Sequence, residues 1–332
     1  MFRKTSTSVI AITAVAALVS ACGSGPGARG AGGSGGGGSR PGQLVFAAVP
    51  SEQTDNLQAA FAPITAALEK DVGVPVKFQA VASNAAVVEA QVAKRVDVAV
   101  YGAFSYYLAR SRAKVEPVAV PLQAPEGDPG AYAYGVTRGN DTSVTSLKDV
   151  KGKDICFTDP GSTTGYLQPL ASLKEAGVDA AKDAKSVFTK GHDTAVASLL
   201  AGDCDIAFVG DVFIDQLLPA RGQLKPGQVR KVWTSPLIPG PPVVVGSWLP
   251  KDVKDKVTRS VTGLTATGAA SAGLCKGKEI KGPAPWKRYA GATACPLGSS
   301  NAWTFITASD QTYAPIARIC EITKAEVCTS GD

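Results

Sequence analysis

Histidine is almost absent from this 332-residue chain, which contains only His192. The seven cysteines include no Cys-x-x-Cys pair, and no cluster of histidines or paired carboxylates stands out. Zinc sites in proteins need several such ligands at short, regular spacings. We therefore expect no metal site and no other cofactor.

A strong net charge is also missing. The chain has 34 basic and 28 acidic residues, a formal net charge of +6. Arg3, Lys4, Arg29 and Arg40 precede residue 43, where no acidic residue occurs, so the remaining chain carries only +2. Its basic residues are not clustered, which gives nucleic-acid binding no support.

Long apolar runs are scarce, and the one that matters lies at the N-terminus. It reads "SVIAITAVAALV" after a basic start, and it is shorter than the roughly 20 residues that span a bilayer. The following "VSAC" matches a bacterial lipobox, so residues 1–22 are predicted to be a lipoprotein signal peptide with Cys22 acylated. The alternative is an ordinary signal peptide with a chance cysteine. Residues 23–42 form a Gly/Ser tether. We expect a protein anchored by lipid to the outer face of the bacterial cell membrane.

Six cysteines remain, an even number that favours disulfides in an exported chain and allows fifteen connectivities. Cys156 and Cys204 each lie on a predicted strand of the same region, so we pair them. Proximity in sequence alone suggests the other two pairs, Cys275 with Cys295 and Cys320 with Cys328.

The body of about 290 residues alternates predicted strands and helices, and the order recurs after residue 150. The segment "AVVEAQVAKRVDVAVYGA" aligns with "AVASLLAGDCDIAFVGD", so that Asp97 matches Asp205 and Gly102 matches Gly210. We predict two α/β lobes with largely parallel strands, joined by two crossing strands that form a hinge. Lobe 1 would comprise residues 43–137 and 246–332, and lobe 2 residues 138–245. The region after residue 250 is expected to be helical and irregular.

In open parallel sheets, ligands bind beyond the carboxyl ends of the strands. The residues at these predicted ends are mostly hydroxyls and amides: Ser51, Asn84, Tyr101, residues 159–166, His192 and Asp211. In "DPGSTTGY", Ser162, Thr163 and Thr164 would begin a helix, where free N–H groups and hydroxyls can meet a small oxyanion. The alternative is that Ser162 is an ordinary helix cap.

His192 and Asp211 complete this predicted cleft, although a lone histidine is more often structural. The Asp211 carboxylate could accept a hydrogen bond from a protonated guest. Such a site would take a hydrogen-bearing phosphorus oxyanion and reject sulfate, which has no proton to give at neutral pH.

Four motifs in register resemble the phosphate/phosphite/phosphonate-binding proteins of ABC transporters, within the type II periplasmic solute-binding class. They are "VPVKFQAVASNAAVVEAQVAKRVDVAVYGAFSY", "DPGSTTGYLQPL", "GHDTAV" and "WTSPLIPGPPVVV". The resemblance implies the two-lobed type II periplasmic-binding-protein fold and an ABC permease as partner, and we expect a monomer. It also implies a phosphoryl group bound in the cleft by Ser162, Thr163, Thr164, Tyr132 and His192, with Tyr101 beside the site and Asp211 at an acidic position.

The chain departs from this family pattern at three positions. Relatives that bind aminoalkyl phosphonates carry an Asp where Pro241 stands, and an aromatic is common where Asn84 and Val100 stand. Without an Asp at 241, a ligand ammonium would lose its partner. The departures favour a small guest such as phosphite, methylphosphonate or phosphate over 2-aminoethylphosphonate.

Three other functions remain as alternatives. A hydrolase acting through Ser162 and His192 is disfavoured, because "GSTTG" is not a G-x-S-x-G elbow and no phosphate-binding P-loop occurs. A sensory module is disfavoured by the lipobox and tether. A binding protein for another organic anion, such as a sulfonate, stays open. We therefore expect a binding protein and not an enzyme.

Overall fold

The computed structural model describes residues 41–49, 51, 54–275 and 279–329. The predicted signal peptide, Cys22 and most of the tether lie outside the described residues. Within the described part, no helix has the length and apolar character needed to cross a membrane.

The first half of the chain builds most of one sheet and its covering helices. These elements are β1 (Leu44–Ala48), α1 (Thr54–Val72), β2 (Val76–Ala80), α2 (Asn84–Val92), β3 (Val98–Val100), α3 (Ala103–Arg112) and β4 (Val115–Leu122). Strand alternation divides the core: Leu44, Phe46 and Ala48 pack on one face of β1, and Ala47 packs on the other. Both faces of β1 are therefore covered, as expected for a central strand of an α/β layer.

A short strand, β5 (Gly130–Ala131), leads to the second sheet. The elements that follow are β6 (Ala133–Arg138), β7 (Asp154–Phe157), α4 (Gln168–Glu175), α5 (Ala180–Asp183), β8 (Lys185–Phe188), α6 (His192–Ala201), β9 (Ile206–Gly210), α7 (Leu218–Ala220) and β10 (Val229–Thr234). The sheet order is β10-β6-β9-β7-β8. Strands β8, β7 and β9 are parallel, whereas β6 and β10 are antiparallel to their neighbours.

The chain then returns to the first sheet. The elements are β11 (Ile238–Pro239), β12 (Val243–Gly246), α8 (Lys251–Thr262), α9 (Ala266–Ser271), β13 (Ile280–Lys281), β14 (Thr293–Ala294), β15 (Thr304–Thr307), α10 (Ile316–Thr323) and α11 (Glu326–Thr329). The first sheet has the order β15-β4-β12-β3-β1-β2. The expectation of a helical and irregular C-terminal region missed β15, which pairs antiparallel with β4.

The two crossing segments meet each other between the sheets. Strand β5 pairs antiparallel with β11, with Ala131 opposite Ile238. The structure thus has two α/β lobes joined by two crossing strands, which confirms the predicted fold class. Because β6 already belongs to the second sheet and β12 to the first, we propose that each lobe boundary lies a few residues before the predicted limits at 137 and 245.

The described cysteines form three pairs. Cys156 on β7 is joined to Cys204, Cys275 to Cys295, and Cys320 to Cys328, with Cα–Cα distances of 5.8, 5.3 and 5.6 Å. These distances lie in the usual disulfide range. The pairing is the one that the sequence suggested, including the two pairs chosen by proximity alone.

Candidate functional site

A cavity of about 100 Å³ lies between the two lobes. It is small beside the roughly 300–1,000 Å³ of pockets for drug-sized ligands, so it suits a small guest. Both lobes and both crossing strands contribute to its wall. The polar residues that line it are Ser51, Asn84, Gln123, Thr158, Asp159, Ser162, Thr163, Thr164, Lys190, His192, Asp211, Ser299 and Ser300.

The turn "DPGSTTGY" begins a helix, as predicted. The Ser162 hydroxyl accepts a hydrogen bond from the Gly165 N–H at 3.0 Å, and so acts as the helix cap. A side chain at Gly165 would overlap Thr158, which explains the glycine. The first turn, Thr163–Leu167, is a π-helix, and Pro169 follows it. Single π turns occur often at functional sites, and this one, together with its cap Ser162, places three successive hydroxyl residues on the cavity wall.

Thr163 links the two lobes. Its side chain is buried, and its hydroxyl oxygen accepts a hydrogen bond from the Phe104 N–H at 3.0 Å. Phe104 lies in the first turn of α3, so Thr163 satisfies one of the free N–H groups of a helix in the other lobe. Because that bond uses the hydroxyl oxygen as acceptor, the hydroxyl proton can still be donated to a guest in the cavity.

His192 is buried at the start of α6, and its ring stacks on Phe213 with a centroid distance of 4.5 Å. Nδ1 accepts a hydrogen bond from the Gly210 N–H at 3.1 Å, which assigns the ring proton to Nε2. Burial lowers the pKa of His192 from 6.5 to about 4, so the ring is neutral at pH 7. His192 therefore offers the cavity a neutral N–H donor.

Asp211 is also buried on the cavity wall. Its carboxylate accepts a hydrogen bond from the Val212 N–H at 2.8 Å. Burial raises the pKa of Asp211 above its ordinary value, and the nearby Asp215 charge adds to this effect. The group is thus poised to accept a proton or a hydrogen bond from a guest.

Two predicted site residues do not line the cavity. Tyr101 is fully buried within the first lobe, and its hydroxyl donates to the Gln91 side chain at 2.7 Å. Tyr132 is 38% exposed; its carbonyl accepts a hydrogen bond from the Asp211 N–H at 2.9 Å. The structure brings Ser162, Thr163, Thr164, His192 and Asp211 together, but it places these two tyrosine side chains elsewhere.

Of the hydroxyl residues that line the cavity, Thr158, Ser299 and Ser300 were not predicted, whereas Ser51 was named at a predicted strand end. The Ser51 and Thr158 hydroxyls are buried and have no hydrogen-bond partner among the described residues. A buried polar group without a partner is costly, and both residues belong to the cavity wall. Thr158 follows β7 directly, so its place at the carboxyl end of a strand was a signal that could have identified it.

The cavity wall carries both acidic and basic side chains, so its charged groups do not form a positive site for an anion. Asp159 and Asp211 are acidic, and Lys190 is the one basic side chain among the described lining residues. The Asp159 carboxylate accepts hydrogen bonds from the Asn84 side chain at 3.0 Å and from the Gly161 N–H at 2.7 Å. An anion would therefore be bound mainly by neutral hydroxyl and N–H donors.

Comparisons with known proteins identify the family of this chain. Residues 46–289 match the family model described as the periplasmic substrate-binding protein of a phosphonate ABC transporter. The phosphate-import protein PhnD of Mycolicibacterium smegmatis is 32% identical over 297 residues, covering 87% of this chain and 88% of the relative. The phosphonates-binding periplasmic protein of Escherichia coli is 29% identical over 218 residues, covering 64% of each chain.

A solved structure supports the fold. PhnD1 from Prochlorococcus marinus, in complex with methylphosphonate, has a TM-score of 0.68 and 21% identity, and the match covers 85% of this chain and 98% of that one. The matched proteins are substrate-binding components of transporters, so the chain is a binding protein and not an enzyme, and it works with an ABC permease. The chain therefore belongs to the family of periplasmic substrate-binding proteins of phosphonate ABC transporters.

Proposed function

We propose that this protein captures a small, partly protonated phosphorus oxyanion for its ABC importer. The guest would be phosphite, methylphosphonate or another small phosphonate, or phosphate. The observation that carries the proposal is the small cavity between the lobes, which is lined by Ser162, Thr163 and Thr164, by the neutral His192 ring and by Asp211. The relatives' names, phosphate import and phosphonate binding, support the same ligand class.

The donors and the acceptor have separate roles in this proposal. Hydroxyl and N–H donors of the Ser162–Thr164 turn would bind the unprotonated oxygens of the guest. The Asp211 carboxylate would accept a hydrogen bond from a P–OH group, which phosphorus oxyanions carry near neutral pH and sulfate does not. Tyr132, on a crossing segment, stays a predicted contact that closure about the hinge would have to bring to the guest.

The cavity wall also limits the size of the guest. Ile238, Pro239 and Pro241 of the second crossing segment line it, and they offer no charged partner for a ligand ammonium. This supports a short substituent on phosphorus. An amine-bearing guest would bury a cation beside Pro241 without a partner from that segment, which is unfavourable.

Isothermal titration of the purified protein tests the ligand class. The ligands are phosphite, methylphosphonate, phosphate, 2-aminoethylphosphonate and sulfate. We expect one of the first three to bind tightest and sulfate not to bind. Tight binding of sulfate or of an alkanesulfonate in place of the phosphorus ligands would overturn the proposal.

Two substitutions test the site itself. Thr163→Val and His192→Ala should each weaken binding by about ten- to a hundredfold, because a desolvated hydrogen bond is lost. Thr163→Ser, which keeps the hydroxyl, is the matched control for the first. Asp211→Asn should narrow the preference for phosphorus ligands over sulfate. Unchanged affinity in the first two variants would contradict the site assignment.

The lipid anchor is a second part of the proposal, supported by the "VSAC" motif and the Gly/Ser tether. Expression of the full chain with Cys22→Ala should release the protein from the membrane fraction. Retention of this variant on the membrane would show that Cys22 is not the anchor. Size-exclusion chromatography with light scattering would test the proposed monomer.

A further inference from the structure

Asn84 joins the two lobes beside the cavity. It is the first residue of α2 in lobe 1, and only 8% of its surface is exposed. Its side-chain N–H donates to the Asp159 carboxylate of lobe 2 at 3.0 Å, while its side-chain oxygen accepts from the Ser105 hydroxyl at 2.8 Å. With one partner on each side, the amide is held in one orientation.

Asp159 is the first residue of the "DPGSTTGY" turn, and its carboxylate binds both Asn84 and the backbone of that turn. The same carboxylate oxygen that accepts from Asn84 also accepts from the Gly161 N–H at 2.7 Å. The Ser105 hydroxyl lies 3.3 Å from the Gly161 carbonyl oxygen, which gives the turn a second contact with lobe 1. The first residues of the turn are therefore bound to lobe 1 immediately before Ser162 begins the helix.

Gly161 leaves no spare room in this contact. A Cβ at residue 161 would lie 2.7 Å from the Cβ of Asn84. That distance is shorter than real Cβ contacts allow, so a side chain at 161 would force the lobes apart. The close approach depends on a glycine at 161 and on the small polar residue at 84.

We propose that Asn84 is a positioning residue: by binding Asp159 it holds the "DPGSTTGY" turn of lobe 2 against lobe 1 and stabilises the closed cleft. The role rests on the proposed function of the cavity, in which this turn binds the anion. Loss of the Asn84–Asp159 bond favours the open cleft, so it acts mainly by speeding ligand release.

An exchange of the two side chains tests this role. Asn84→Asp places a second carboxylate against Asp159, and the two like charges should separate the lobes. We expect dissociation of methylphosphonate or phosphate at pH 7 to become at least about tenfold faster. Adding Asp159→Asn restores an amide–carboxylate pair with the donor on the other lobe, and it should recover most of the affinity. Asp159→Asn alone is the control for the change in charge beside the anion.

A steric test uses the same contact without changing charge. Gly161→Ala alone should weaken binding, because the new methyl group meets Asn84. Combining it with Asn84→Gly removes the obstructing Cβ and should bring affinity back toward that of Asn84→Gly alone. Small-angle X-ray scattering of each variant, with and without phosphate, reports lobe closure independently of affinity.

The outcomes separate this inference from the proposed function. If the wild-type protein binds no phosphorus oxyanion but Asn84→Asp still opens the lobes in scattering and the exchange closes them, the proposed ligand is wrong and the role of Asn84 stands. If Thr163→Val weakens binding while Asn84→Asp matches the wild type in dissociation rate and in lobe closure, the inference about Asn84 is overturned. A failure of the exchange to recover binding and closure, or an equal effect of Gly161→Ala in the wild-type and Asn84→Gly backgrounds, also overturns it.

Discussion

Asp97 and Asp205 make the same pair of contacts at equivalent places in the two lobes. The Asp97 N–H donates to the Val45 carbonyl at 2.9 Å, and the Asp97 carboxylate accepts from the Val45 N–H at 2.9 Å. The Asp205 N–H donates to the Asp154 carbonyl at 2.8 Å, and the Asp205 carboxylate accepts from the Asp154 N–H at 3.0 Å. Each aspartate thus connects the start of one parallel strand to its neighbour, which gives the sequence alignment of these residues a physical cause.

These aspartates should contribute to the stability of their own lobes. Asp97→Ala and Asp205→Ala should each lower the free energy of unfolding by about 1–3 kcal/mol, because a partly buried backbone N–H loses its partner. Asp97 also accepts from the Trp248 indole N–H at 3.3 Å, and Asp205 also pairs with Arg138 at 3.6 Å, so each substitution removes a second contact as well. Denaturant unfolding measures both. Asp→Asn at each position keeps an acceptor oxygen and is the control; equal losses in the Ala and Asn variants would contradict the explanation.

The buried His192 predicts a pH dependence of stability. Its pKa is lowered by burial to about 4 in the folded protein, against an ordinary value of 6.5, so the unfolded chain binds the proton more readily. Stability should therefore fall as the pH drops below 6.5, and this loss should level off below about 4. The difference between the two pKa values corresponds to roughly 3 kcal/mol.

Denaturant unfolding at pH 7, 5.5 and 4 checks this expectation. His192→Asn cannot take up the proton, so its stability should change less over this interval than that of the wild type. An identical pH dependence in both proteins would show that His192 is not buried as the neutral form.

The buried Asp211 predicts a pH dependence of stability that is opposite in sign to that from His192. Because burial raises its folded-state pKa, protonation favours folding, and this contribution is lost as the pH rises through the folded-state pKa. Asp211→Asn stays neutral at every pH. Without ligand, the variant should therefore melt at a higher temperature than the wild type at pH 7, with a smaller difference at pH 4. A lower melting temperature at pH 7 would indicate that the carboxylate is stabilised by its hydrogen bonds more than it is penalised by burial.

Lys190 should influence how fast the anion arrives. It lines the cavity with a left-handed backbone, φ 71°, and its N–H donates to the Thr158 carbonyl at 2.9 Å. Its side chain is exposed, so its charge acts mainly through long-range attraction that salt screens. Lys190→Gln should slow association a few-fold at low ionic strength and much less at about 0.15 M salt. Stopped-flow binding measures this effect, and Lys148→Gln, which removes an exposed charge away from the cavity, is the control. Equal slowing in both variants would assign the effect to net charge instead of to Lys190.

Local sequence determined much of this protein. Apolar runs and turn residues predicted the βα order of both lobes, because burial on both faces of a parallel sheet leaves a direct pattern in the chain. The repeat predicted the equivalence of Asp97 and Asp205, and the glycines and hydroxyls of "DPGSTTGY" predicted a helix start at the cavity. The pairing of Cys156 with Cys204 followed from their predicted strands: Cys156 lies on β7, and Cys204 lies just before β9, the neighbour of β7 in the sheet.

Contacts between distant segments were decided only by the tertiary structure. Strand β15 was missed because its pairing with β4 depends on a segment about 180 residues away in the chain. Tyr101 was predicted beside the site, but residues 98–101 are all buried, so no alternation shows which face the ring occupies. The contacts of Thr163 with Phe104 and of Asn84 with Asp159 exist only where the lobes meet. Periodicity records which side of an element is buried, but it holds no information about the partner across a cleft, and that partner decides which residues form this site.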